Sequence, residues 1–154
     1  MQKLVIFSGA GMSAESGINT FRDSNGLWEQ HRVEDVATPE GFGRNPALVQ
    51  DFYNARRGEL VKVAPNEAHK TIARLQRLVG DRLFLITQNI DDLHERAGSR
   101  NVIHLYGSLQ EAYCQQCEQL YDLATIGETL PPVCLSCGGS VQPGVVWFNE
   151  ISFP

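Results

Sequence analysis

Apolar positions follow two regimes along this chain: short unbroken runs, and longer stretches with an apolar residue every three or four positions. Residues 3–8 (KLVIFS) belong to the first and predict a strand buried on both faces, as inside a parallel sheet. Gly9 to Gly11 break the run, and Ser13 to Ser16 predict a short capped helix stopped by Gly17. Residues 18–38 mix charges, Gly26 and two aromatics without a period, which predicts a long loop. Helical spacing returns over 46–62, a small helical module. "PNEAHKTIARLQRLV" predicts an amphipathic helix with Ala68, Ile72, Leu75 and Leu78 or Val79 on one face, Asn66 as N-cap and Gly80 as stop. A second buried strand follows at 82–89, then a short helix in "DDLHERAG" and a third strand at 101–108. Residues 109–142 turn polar and rich in turns, and 144–149 (GVVWFN) predict a strand. Strands alternating with helices predict an α/β fold with a parallel sheet, interrupted by an insert.

Composition narrows the function. At 154 residues the chain suits one domain, and 42% hydrophobic with 20% charged residues is ordinary for a soluble globular protein. The net charge of −5 disfavours nucleic acid as a partner, because neutralising phosphates needs clustered Lys and Arg. No apolar run nears the ~18 residues of a membrane helix, and "LVIFSGAG" is too short for a signal peptide. The expectation is a cytoplasmic protein with no membrane association.

All four cysteines fall in "CQQC" and "CLSC", Cys114, Cys117, Cys134 and Cys137. Two residues inside each pair let both sulfurs reach one ion, and two such pairs complete a tetrahedron. The spacing predicts one structural Zn²⁺ in a zinc-ribbon insert, with Gly138 and Gly139 turning the backbone beside the sulfurs. A redox or disulfide pairing is the alternative, and it suits a cytosolic chain less well. A closed four-cysteine site leaves no open coordination position, so the metal would be a clamp.

Gly9-x-Gly11-x-x-Ala14 after a strand fits the dinucleotide turn, in which glycines let a diphosphate approach the backbone. A purely structural turn reads the same residues without a ligand. A dehydrogenase would want an acidic residue closing the second strand, and "LFLITQN" ends in neutral polar residues.

"GAGMSAESGINTFRD", "PNEAHKTIARL", "TQNID", "HLYGS", the paired CxxC and "PGVVWFNE" together resemble, in order and over nearly the whole chain, the sirtuins, NAD-dependent protein-lysine deacylases. Tyr53-Asn54-Ala55-Arg56 is similar to the Tyr-x-x-Arg of the bacterial and mitochondrial-type subgroup that removes succinyl groups. The resemblance implies an incomplete Rossmann-like parallel sheet with NAD as co-substrate and acylated-lysine proteins as partners. Gly9, Ala10, Gly11 and Ser13 would meet the NAD diphosphate, with Ala14 and Glu15 opening the helix. Thr20, Phe21 and Arg22 would form the cofactor loop, with Trp28 counted among the cofactor-facing residues. Gln88 would face the ribose, while Asn89, Ile90 and Asp91 shape the nicotinamide pocket, Asn89 with a catalytic share. Val146, Trp147, Phe148 and Asn149 would pair with the acyl-lysine peptide. In the implied mechanism the acyl oxygen attacks ribose C1′, nicotinamide leaves, and an alkylimidate forms. His104 would then take a ribose hydroxyl proton as general base, and free lysine and O-acyl-ADP-ribose result. Tyr53 and Arg56, three positions apart on a helix, share a face that can hold the carboxylate of a succinyl or malonyl group, with acetyl-lysine also accepted.

Taken singly, these residues read more plainly: His104 as a core histidine, Tyr53 and Arg56 as helix-surface residues, Trp28 as a loop anchor, Asp91-Asp92 as a helix cap. His31, His69 and His94 read as structural or solvated. The chain departs from the family pattern at Gln142, where Arg is common, and at Asn149, where Gly is common; Asn tolerates left-handed geometry. It ends at "EISFP", without the Gly-Thr-Ser turn and adenosine-binding segments of the resemblance. The expectation is a partial catalytic domain, completed by another chain or segment; the alternative is a zinc-containing binding or regulatory remnant with little or no activity.

Overall fold

The computed structural model describes residues 2–20, 27–123 and 133–150. Three strands form a parallel sheet in the order β1, β4, β5: β1 is Leu4–Ser8, β4 is Leu83–Thr87 and β5 is Ile103–His104. The register pairs Leu4 with Leu83 through Ser8 with Thr87, and Thr87 with His104. The three strands therefore finish level, and the loops leaving their C-terminal ends share one crevice, where open parallel sheets place ligands. Gln88 N donates to the Ser8 carbonyl at 2.9 Å, which ties the loop after β4 to the loop after β1.

The sheet is covered on one face. Leu83, Leu85 and Thr87 are buried, and Ser8 on the same side reaches His94 of α6 (Leu93–Arg96). The other face shows Val5 and Phe7, each 58% exposed, beside Phe84 and Ile103. Burial of β1 on both faces is thus not observed: among the described residues no element lies over the second face. The third strand is also shorter than its apolar run. It ends at His104, a turn takes Leu105 and Tyr106, and Gly107 begins a strand of a different sheet.

Helix α5, Glu67–Val79, starts on a reciprocal cap in which Asn66 accepts from Ala68 N and His69 N, while His69 Nδ1 accepts from Asn66 N. The Asn66 amide also donates to Met12 O and Ser16 Oγ, holding α5 against the segment of α1, Gly11–Ala14. The buried face carries His69 and Ala73; Ala68 is exposed and Leu78 is 82% exposed. Ile72, Leu75 and Val79 of the expected face are half-buried, while the fully buried positions lie beside it, at His69 and Ala73. His69 is polar by composition yet packed on the His94 ring with centroids 4.9 Å apart.

Residues 27–38 hold a hairpin of β2 (Leu27–Trp28) and β3 (His31–Arg32) followed by α2 (Val33–Val36), where a loop was expected. Helices α3 (Pro39–Arg44) and α4 (Pro46–Leu60) each begin with proline after a capping side chain, Thr38 and Asn45. Their apolar faces, with Val36, Phe42, Val49, Phe52 and Tyr53, pack against Leu93, Leu109, Val145 and Trp147.

The second sheet is antiparallel, in the order β7, β6, β8: β6 is Gly107–Cys114, β7 Leu120–Asp122 and β8 Val141–Val145. Gly107 has φ 77°, and a Cβ there would lie 2.0 Å from the Gly144 carbonyl oxygen, so only glycine lets the strands approach at this end. The strand expected at 144–149 stands instead at 141–145; Phe148 and Asn149 are in a turn. No helix among the described residues is long and apolar enough to cross a membrane.

Candidate active site

At the crevice above β1 and β4 a chain of buried polar groups fixes the loop from Gln88 to Asp91. Ser8 Oγ donates to Thr87 Oγ1 at 2.9 Å, and Thr87 Oγ1 accepts from Asn89 N at 3.0 Å. Ser13, fully buried in α1, donates from Oγ to Asp91 Oδ2 at 2.8 Å and accepts from Asn89 Nδ2 at 3.1 Å. Asp91 Oδ1 in turn accepts from Leu93 N at 3.1 Å, at the start of α6. Every hydroxyl in this chain has a partner, so Asn89 and Asp91 are held in place before any ligand arrives.

These side chains line a cavity of about 220 Å³. Ala10, Ser13 and Gln88 to Asp91 form one wall; Trp28, Tyr53, Tyr106 and Val146 to Phe148 form the opposite one. Gly9 and Gly11 shape the backbone beneath: a Cβ on Gly9 would sit 3.1 Å from Gln88 Oε1, whereas one on Gly11 would enter open space. Ala14 and Glu15 are exposed and outside the lining, and Thr20 stands at the end of a described segment. Phe21 and Arg22 lie outside the described residues. Asn149 is exposed, with φ 65°, the left-handed geometry that asparagine accommodates.

The structure separates Tyr53 and Arg56, a pair that helical spacing joins. The Tyr53 hydroxyl is buried and accepts from Trp147 Nε1 at 3.0 Å, and burial pushes its pKa up. Arg56, one turn along α4, faces a second cavity of about 110 Å³. Its guanidinium lies 3.3 Å from Glu29 Oε2 and 3.3 Å from Glu59 Oε1, and over the Phe52 ring. Arg56 Nε and Nη1 are buried without a hydrogen bond. The two cavities meet along Ile18, Asn19, Trp28, Ile90 and Asp91.

His104 meets the nicotinamide wall at Asn89. His104 is not in the cavity lining; its Nδ1 is 2.8 Å from the Asn89 carbonyl oxygen and its Nε2 2.7 Å from Glu95 Oε1. The bond to Glu95 raises its pKa above the ordinary imidazole value. Tyr106, unmarked by sequence reasoning although it belongs to "HLYGS", lines the cavity instead. Asn19, Ala37 and Val145, also in the lining, carried no motif signal.

The four cysteines form one group, with all Sγ atoms within 4.8 Å of one another and none in a disulfide. Cys114 Sγ is 3.5 Å from Cys137 Sγ, and Cys117 Sγ 3.6 Å from Cys134 Sγ. Sulfurs about 2.3 Å from a tetrahedral zinc stand about 3.8 Å apart, so the group is positioned to bind one zinc ion. Gln116 N and Gly139 N point at Cys114 and Cys137 sulfurs, and Tyr121 donates to Cys134 Sγ. Gln142, buried beside this sheet, accepts from Gln115 and donates to Glu150.

Residues 9–152 match the Sir2 family. An NAD-dependent protein deacylase of Salmonella typhimurium is 53% identical over 154 residues, which cover 97% of this chain and 56% of the relative. A crystal structure of a Sir2 homolog in complex with NAD superposes with a TM-score of 0.86 at 46% identity, covering 99% of this chain and 59% of that one. A Sir2 protein mutated from His to Tyr, with p53 peptide and NAD, gives 0.77 at 32% identity, covering 98% and 61%. The chain thus spans a little over half the length of these proteins.

Proposed function

The chain belongs to the Sir2 family, and we propose that it forms the nicotinamide and acyl-lysine side of an NAD-dependent protein-lysine deacylase. The observation that carries this reading is the cavity between the Gln88–Asp91 loop and the 146–148 segment. Asn89 and Asp91 offer the polar edge that a carboxamide needs, Ile90 an apolar surface for the pyridine ring, and Ala10 a close backbone approach. Across the cavity, Val146 to Phe148 and Trp28 make an apolar channel suited to an acylated lysine stem. Bound here, NAD would supply a ribose carbon able to accept the acyl oxygen with loss of nicotinamide, and Ala10, Ser13 and Gln88 to Asp91 would hold it. The relatives named as NAD-dependent deacylases, and the Sir2 structures with NAD and with p53 peptide, support the assignment.

The substrate class is succinyl- or malonyl-lysine. Arg56, with two buried N–H groups lacking hydrogen bonds, borders the shared edge of the two cavities. A terminal carboxylate passing Trp28 replaces Glu29 as its partner, and a guanidinium offers paired donors to such a group. Tyr53 acts by packing the channel wall and fixing Trp147. His104, 2.8 Å from the Asn89 carbonyl oxygen, is the general base of this reading.

The test is incorporation of labelled nicotinamide into NAD by the zinc-loaded chain, with and without a succinyl-lysine peptide. Peptide-dependent exchange is expected. Absence of exchange together with absence of NAD binding at millimolar concentration refutes the reading.

A further inference from the structure

Arg56 already has an anionic partner at the second cavity, supplied by a turn of the chain itself. Glu29 and Gln30 are the two turn residues of the β2–β3 hairpin, between the paired Trp28 and His31, with φ 48° and 67°. Two-residue turns of this left-handed kind favour asparagine and glycine, so a glutamate stands here against its local preference. The hairpin is fixed to α4 by its rings: Trp28 lies edge-on to Phe52 and Tyr53, with centroids 5.0 and 6.0 Å away, and His31 lies 5.4 Å from Phe52. From this anchored turn the Glu29 carboxylate reaches inward. Its Oε1 accepts from Asn19 Nδ2 at 3.1 Å, and its Oε2 lies 3.3 Å from Arg56 Nη1. The ion pair makes no hydrogen bond there, so the carboxylate stands before the guanidinium without satisfying its Nε and Nη1. The charged groups that line this cavity are one cation, Arg56, and three carboxylates, Glu29, Glu59 and Asp91. Asp91 is taken up by Ser13 and Leu93 N, and Glu59 accepts from Arg56 Nη2 at 3.3 Å.

We propose that Glu29 is an internal competitor for the acyl carboxylate and so sets how far this chain prefers succinyl- and malonyl-lysine over acetyl-lysine. The inference rests on the deacylase reading. An acyl carboxylate arriving at Arg56 meets Glu29 in the place it needs, and two like charges brought together there repel. Binding therefore requires the Glu29 side chain, already one-quarter exposed, to turn outward and release Asn19. The freed guanidinium then offers the incoming group its paired donors. An acetyl group carries no charge and leaves the Glu29–Arg56 pair closed. The hairpin turn thus handicaps the charged acyl groups and spares the neutral one.

Affinities of the zinc-loaded wild type and of Glu29→Gln for succinyl- and acetyl-lysine peptides, measured with NAD present, decide it. Glutamine keeps the length of the side chain and an oxygen for Asn19 while removing the charge. Succinyl-peptide affinity is expected to rise about ten-fold, well inside what like charges cost when brought together at an interface, with acetyl-peptide affinity unchanged. In the wild type, the carboxyl carbon resonance of Glu29 is expected to shift when the succinyl peptide binds and to stay in place with the acetyl peptide. Succinyl affinity unchanged or lowered in the variant overturns the inference, as does a Glu29 resonance that does not respond to the bound succinyl peptide. If Arg56→Met still weakens succinyl binding selectively, the deacylase reading survives that result. Failure of the wild type to bind either peptide, with NAD at millimolar concentration, overturns the deacylase reading itself. Should Glu29→Gln fail to fold, the Glu29 resonance of the wild type decides alone.

Discussion

Replacing Ser13 by alanine tests the polar chain on which the nicotinamide wall depends. Ser13 is 1% exposed, and its Oγ joins Asp91 Oδ2 at 2.8 Å to Asn89 Nδ2 at 3.1 Å. Ser13→Ala removes the donor to a carboxylate and the acceptor for an amide in one step. A hydrogen bond to a charged group contributes about 1.5–3 kcal/mol, and a buried group left without its partner costs about 1–3 kcal/mol. Asp91 keeps Leu93 N as a donor, which limits its loss, and Asn89 keeps its backbone bond to Thr87. The expected destabilisation is therefore near the lower end of the summed range of about 2.5–6 kcal/mol, about 3 kcal/mol. For a chain of this size that is a fall of roughly 6–12 °C in the unfolding midpoint. The assay is urea and thermal unfolding followed by circular dichroism, with nicotinamide affinity measured in parallel on the folded fraction. Affinity should fall together with stability, because Asn89 and Asp91 lose the group that aims them into the cavity. A loss below about 1 kcal/mol with nicotinamide affinity unchanged would show that Ser13 does not organise the wall.

Three further perturbations address other parts of the structure. Burial lowers the pKa of His69 and of His94, the latter also pressed down by the former, so the unfolded chain binds more protons below the ordinary imidazole value of about 6.5. Their contribution to stability is present above that pH and is lost as pH falls, and His94→Gln should flatten the acid loss between pH 7 and 5 in urea titrations; an unchanged slope refutes this. His104 has the opposite sign: its Glu95 partner raises its pKa, so its stabilisation is present in acid and fades as pH rises through the raised value, and His104→Gln should steepen the acid loss. Zinc removal by a chelator, or Cys117→Ser, should melt the β6–β8 sheet and, through Val145 and Trp147, shift tryptophan emission to the red, since the ion is a large part of such a module's folding energy. Arg56→Met should cost at least ten-fold more in succinyl-peptide than in acetyl-peptide affinity, as expected for one charge-assisted pair of about 1.4 kcal/mol or more; equal losses remove the carboxylate role.

What could be read from the chain depended on how local each determinant is. The zinc group was legible because ligand spacing within each CxxC is a property of two adjacent turns, and the four sulfurs do converge. Asn149 in the left-handed region and Asn66 as a helix cap follow from single-residue preferences, and both hold. The parallel sheet followed from apolar runs alternating with helical periods. Its one-sided cover did not, since a run records the capacity for burial and not the partner that provides it. The most buried position of α5 was missed for a related reason: hydropathy counts His69 as polar, while its ring satisfies a cap on one side and packs on His94 on the other.

The candidate site shows the same division more sharply. Helical spacing puts Tyr53 and Arg56 on one face, but Glu29 and Trp147 arrive from distant segments and draw the two side chains into different cavities. No periodicity within α4 contains that information. At the end of β5 the issue is a single turn. Had the strand run from 101 to 108, positions 104 and 106 would lie on the same side. The break at Leu105 and Tyr106 ends that equivalence, and Glu95, presented by α6, then receives the imidazole. Which of two rings two residues apart meets the cavity is therefore set by where a parallel strand stops and an antiparallel one begins. That boundary is fixed by the Gly107–Gly144 approach, a contact between residues 37 positions apart. A substitution that forces those strands apart, such as Gly107→Ala, whose Cβ would lie 2.0 Å from the Gly144 carbonyl oxygen, should release Tyr106 from Val146 and so alter the cavity wall without replacing any residue that lines it.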